Sequence, residues 1–160
     1  MKRFLKFLDE HAEEIALVIL MACMSVIIGV QVFMRYVMKS SLSWSEEIAR
    51  YMFIWLIYIG ISYGVKKDRH INVDAVRRIL PKKVSAIVSA ISDLIFLLFS
   101  IIVVAAGMKV ATKIFTSGQR TPALQIPMGY IYMAVPIGFT LVTIRLLQRF
   151  IKSGFKKKGA

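Results

Sequence analysis

The chain has 160 residues, 58% of them hydrophobic, and carries 22 Lys and Arg against nine Asp and Glu, for a formal net charge of +13. So apolar a composition excludes an ordinary soluble domain, and because the cations cluster between long apolar runs, it also sets aside a solvated basic face for nucleic acid. One cysteine, Cys23, excludes an intrachain disulfide and a Cys-rich metal site.

In chain order, residues 2–11 place Phe4, Leu5 and Leu8 on one side of a short amphipathic helix suited to lying in the membrane interface. The first span is expected at 15–36, about 33 Å of helix against a hydrocarbon core of roughly 30 Å. It reads as a retained anchor, since no small-residue cleavage site follows a short apolar core. Gln31 is its one strongly polar interior residue.

The second span is expected at 44–65, opened by a capping box in which Ser43 caps the helix and Glu46 reaches back. Glu46 and Glu47 suit the positive end of the helix dipole, and Arg50 is spaced to pair with either one. Steps of four and three then run through Phe53, Ile57, Gly60 and Gly64, so this charged knot shares a face with a G-x-x-x-G pair, a pattern for meeting another helix. Lys66, Lys67 and Arg69 end the span. In the connection that follows, Val73, Val76, Ile79 and Leu80 could form one side of a short interfacial helix ended by Pro81.

The third span is expected at 84–108. Asp93 lies about 14 Å from its start, near the middle of the bilayer, where an ionisable group is a functional candidate by default. It shares a small-residue stripe with Ser85, Ser89, Ser92 and Ser100, which favours a satisfied packing role over proton transfer. The fourth span, 126–147, has Pro127 near its start and Pro136 near its middle, and the second should kink it.

Sixteen of the 22 Lys and Arg fall in the N-terminal segment, the second connection and the tail, and six fall in or beside the first and third connections. Both termini are therefore expected in the cytoplasm. No nucleophile and base pair, phosphate loop or metal-ligand cluster stands out, so no enzyme activity, cofactor or metal is expected. His11 and His70 lie outside the expected spans, which argues against haem ligation. The aromatic residues read as interfacial anchors or packing groups.

WSEEIARYMFIWLIYIG (Trp44 to Gly60) and KKDRHINVD (Lys66 to Asp74) resemble the small, DctQ-like membrane subunit of tripartite ATP-independent periplasmic (TRAP) transporters. The resemblance covers nearly the whole chain. It implies an all-α integral membrane protein of the bacterial inner membrane, scaffolding a large multi-span permease subunit that moves an organic acid with a cation, commonly sodium, by an elevator-like motion. A periplasmic binding protein would deliver that substrate. Trp44, Glu46, Glu47 and Arg50, with His70 and Asp74 of the inner loop, are the motif positions carried over, and a structural or subunit-contact role is what the resemblance implies for them. Gly60, Gly64, Ser85, Ser89, Asp93 and Ser100 join them as interface candidates, and the basic loops suit anionic lipid. The rival reading is a self-sufficient homodimeric carrier using Asp93 for proton exchange.

Overall fold

The computed structural model of the protein describes residues 2–40, 42–67 and 82–157. In lipid, an apolar segment must satisfy its amides and carbonyls internally, so it coils into helix. The helices are α1 (Lys2–Tyr36), α2 (Ser43–Lys66), α3 (Lys82–Thr116), α4 (Gly129–Tyr132) and α5 (Ala134–Lys157). Among the described residues, four stretches are long and apolar enough to cross a membrane: His11–Tyr36, Ser43–Lys66, Ile87–Thr116 and Gly129–Ile151. This is an all-α, multi-pass membrane protein.

Several boundaries differ from the sequence expectation. Residues 2–11 are helical but continue into the first span as one helix, because no Gly or Pro interrupts the chain before Gly29. His11 lies within this continuous helix. The capping box does not form: α2 starts at Ser43 itself, with Leu42 at the cap position and no side-chain cap bond. The third span runs eight residues beyond Met108, to Thr116.

Pro136 breaks the helix early in place of kinking it midway. Its ring crowds the carbonyl four residues back and offers it no amide, so regular helix stops at Tyr132 and resumes at Ala134, putting Pro136 in the first turn of α5. Met133 bridges the two, its amide bonding the Gly129 carbonyl at 2.9 Å and its own carbonyl accepting from Ile137 at 3.1 Å. Pro127 lies in the preceding loop, opposite Arg120. The interfacial helix expected over 73–80 lies outside the described residues, as do His70 and Asp74.

The long helices form a row. α1 packs on α2, α2 on α5 and α5 on α3, and among the described residues no other pair of these four packs side by side. Burial follows this order: within an 18-residue apolar stretch of each span, 33% of the residues are buried in the fourth and 17% in the second, but only 6% in the first and third at the ends of the row. The small core sits where α5 meets α2, around Val65, Phe139, Val142 and Leu146.

Gly138 sets that approach. A Cβ there would stand 2.6 Å from the Tyr58 Cβ and 2.9 Å from the Tyr58 carbonyl oxygen, so backbone meets backbone. Gly138→Leu should push α5 off α2 at a cost of about 1–3 kcal/mol, seen as a lower melting temperature in detergent. Gly64, which has open space where its Cβ would be, should accept alanine with little change in the same measurement.

Candidate functional site

Among the described residues, three groups of carboxylates tie one segment of the chain to another. At the end of the row bearing the chain termini, Glu13 of α1 is 4% exposed. Its Oε1 accepts from the Ser62 hydroxyl at 2.7 Å and from Arg145 Nε at 2.9 Å, while Oε2 lies 3.2 Å from Lys66 Nζ. One carboxylate therefore joins α1, α2 and α5. A buried carboxylate without such partners would carry a desolvation cost of several kcal/mol. Arg145 is steadied by Gln148, whose Oε1 accepts from Nη1 at 2.8 Å.

At the opposite end, Glu46 Oε1 accepts from Gln31 at 2.6 Å and from Arg35 at 2.9 Å, both on α1. Left-handed Lys39 (φ 51°) turns the short connection that makes this possible. Glu47 faces the other way. It accepts the Tyr51 hydroxyl at 2.7 Å through Oε1, and the Ala123 and Leu124 amides at 2.7 and 3.3 Å through Oε2. The loop 117–128 is thereby clasped to α2. Its own shape comes from Gly118 (φ 66°) and from wholly buried Thr121, whose hydroxyl accepts the Ile126 amide at 3.1 Å.

These contacts replace the expected pairing of Arg50 with its neighbours: both carboxylates turn to other partners, and Arg50 is left exposed. A Cβ added to Gly60 would make only an ordinary contact, 3.8 Å from Leu17, and one added to Gly64 would meet open space, so among the described residues the G-x-x-x-G pair makes no close helix approach. Trp44 is exposed.

Asp93 bonds Arg149 of α5, its Oδ1 accepting from Nη1 at 2.9 Å. It lies eleven residues into α3, roughly 16 Å along the helix from Lys82. Ser100, wholly buried, meets Thr143 of α5 at 2.9 Å. Ser85 is buried, and its carbonyl accepts the Ser89 hydroxyl at 2.9 Å. Among the described residues, no group of three or more His, Cys, Asp or Glu is placed to hold a metal ion.

Four apolar spans, carboxylates tied across helices and a clasped loop describe a membrane protein, and comparison supplies the family. Residues 24–154 match the family described as tripartite ATP-independent periplasmic transporters, DctQ component. The chain belongs to this family. It is 30% identical over 155 residues to a Haemophilus influenzae protein assigned as a TRAP transporter small permease, covering 97% of this chain and 95% of that one. It is 32% identical over 150 residues to the isethionate TRAP transporter permease protein DctMQ of Oleidesulfovibrio alaskensis, covering 90% of this chain but 24% of that protein. The C4-dicarboxylate TRAP transporter small permease protein DctQ of Rhodobacter capsulatus is 28% identical over 121 residues, 74% of this chain and 52% of that one. The chain thus spans about a quarter and about half of the latter two. These relatives are transporter subunits, and this chain is a TRAP transporter small permease subunit.

In this DctQ-family subunit, the Glu13 cluster and the pairing of Asp93 with Arg149 are not legible from the sequence, because a count of charge by segment places Arg145 and Arg149 among the tail cations. The signal that could have found them is an arginine inside an apolar span, which calls for a partner carboxylate. Glu13→Gln should lower stability by about 3–5 kcal/mol by stranding Arg145 and Lys66. A double-mutant cycle with Arg145→Met in a detergent unfolding assay should return part of that loss. Glu47→Ala should leave the helices in place but speed hydrogen exchange at the Ala123 and Leu124 amides, read by exchange mass spectrometry of the loop.

Proposed function

We propose that this subunit is the fixed base of a two-part permease in the bacterial inner membrane. It holds a large multi-span permease while that partner carries an organic acid with a cation, sodium being the expected ion. A periplasmic binding protein delivers the substrate. Both chain termini face the cytoplasm, in accord with the Lys and Arg distribution, and the basic end meets anionic lipid headgroups.

The observation that carries this reading is the commitment of Glu13, Glu47 and Asp93 to fixed partners in other helices or in the loop. Carboxylates engaged in this way stiffen a body and do not form a relay, which weighs against an independent carrier built on Asp93. Relatives named for isethionate, C4-dicarboxylate and sialic acid support an acidic substrate, and the relative DctMQ, with a DctQ-like stretch covering a quarter of a permease protein, supports the partnership.

The partner surface assigned by this reading runs along α2 through exposed Trp44, Phe53 and Ile57 to Gly60 and Gly64, whereas Ser85 and Ser100 of α3, interface candidates from the sequence, are buried within this chain and not open to a partner. Affinity purification of the tagged chain from native membranes in mild detergent should recover a large multi-span permease at near one-to-one ratio. Gly64→Leu, which fills space left open within this chain, should cut that recovery several-fold without lowering the melting temperature. Recovery of the chain alone as a dimer, or a Gly64→Leu complex as abundant as the parent, would overturn the assignment.

A further inference from the structure

Between α2 and the α4–α5 segment, at the end away from the chain termini, lies a groove of about 900 Å³. Its mouth is set by Glu46 and Arg50, and its walls by Ile54, Ile57, Tyr58 and Val135. From Ser43 at the mouth to Tyr58, α2 rises about 22 Å, more than the roughly 15 Å of one hydrocarbon leaflet. An apolar trough of this depth is a poor place for water, which needs several polar partners. It matches an acyl chain.

Charge at the mouth decides the headgroup. Arg35 and Glu46 pair at 2.9 Å, Glu47 is held by Tyr51 and the loop amides, and exposed Arg50 makes no ion pair among the described residues. These four charges sum to zero. Glu46 Oε1 takes both of its bonds, from Gln31 and Arg35, so Oε2 is left to accept another donor. A guanidinium and a half-engaged carboxylate beside an apolar trough complement a phosphate and a primary ammonium on one molecule. An anionic headgroup such as phosphatidylglycerol would add negative charge next to Glu46 and Glu47 and offer them only neutral hydroxyl donors, and a quaternary ammonium has no N–H to give.

We propose that this groove binds one phospholipid of the phosphatidylethanolamine class, with its phosphate on Arg50, its ammonium on Glu46 and an acyl chain along Ile54, Ile57 and Val135. The site borders the surface assigned to the large permease but does not depend on that assignment, since its ligand is recognised by this chain's residues alone.

The test is native mass spectrometry of the full chain in mild detergent, titrated with phosphatidylethanolamine, phosphatidylglycerol and phosphatidylcholine of identical acyl chains. One phosphatidylethanolamine should bind per chain, about tenfold more tightly than the other two, as expected for one charge-assisted hydrogen bond gained. Arg50→Gln and Glu46→Gln should each weaken that adduct about tenfold, whereas Lys113→Gln, at the same end but outside the groove, should not. Equal binding of the three lipids by the parent chain, which needs no variant to measure, would overturn the proposal, as would an Arg50→Gln adduct as strong as the parent's. Loss of the adduct from the intact complex with its permease would assign the groove to a partner side chain instead.

Discussion

Lipid tails are as apolar as leucine, so burying an apolar face between two membrane helices brings little of the gain that drives folding in water. What holds helices together there is close backbone approach and the pairing of polar groups that lipid will not solvate. The Glu13 carboxylate is the clearest case, because it is buried among partners from α2 and α5 while standing on α1. Without that junction α1 would touch only α2 in the row.

A row of helices has no enclosed centre, and its architecture reflects this. The middle helices carry the core of Val65, Phe139, Val142 and Leu146, and the outer ones stay largely exposed. Each neighbouring pair then has its own tie: Gln31 and Arg35 to Glu46 between α1 and α2, and both the Arg149 to Asp93 bond and the Ser100 to Thr143 contact between α5 and α3. Where α2 meets α5, Gly138 lets the Tyr58 backbone come close. Cross-helix hydrogen bonds in membranes average about 0.6 kcal/mol each, so several distributed ties are needed where one would not suffice.

The same geometry gives the subunit two broad faces and a loop held rigidly at one end. Glu47 commits its side chain to the loop amides, which fixes 117–128 over the groove that Arg50 borders. A slab of this kind can hold a partner at constant depth and tilt without offering a route through itself.

Four spans can be recognised from the chain alone, because exclusion from water is a property of consecutive side chains and each apolar run reports its own. Long-range partners cannot. The Ser43 and Glu46 pattern points to a capping box, yet Gln31 and Arg35, at separations of 15 and 11 residues, compete for the Glu46 carboxylate and win it. Pro136 points to a mid-span kink, but the helix adjusts its start around the proline, and that choice depends on the loop before it. The G-x-x-x-G pair is plain in the sequence, whereas Gly138, whose missing side chain lets the Tyr58 backbone approach, has no such signature. Sequence by itself determined membrane residence, the four apolar spans and family, all of which rest on local hydropathy and on motifs of adjacent residues. Only the tertiary structure decided which charge answers which, because Glu13 and Arg145 are 132 residues apart and a buried charge takes its partner from whatever the packing brings within hydrogen-bonding reach.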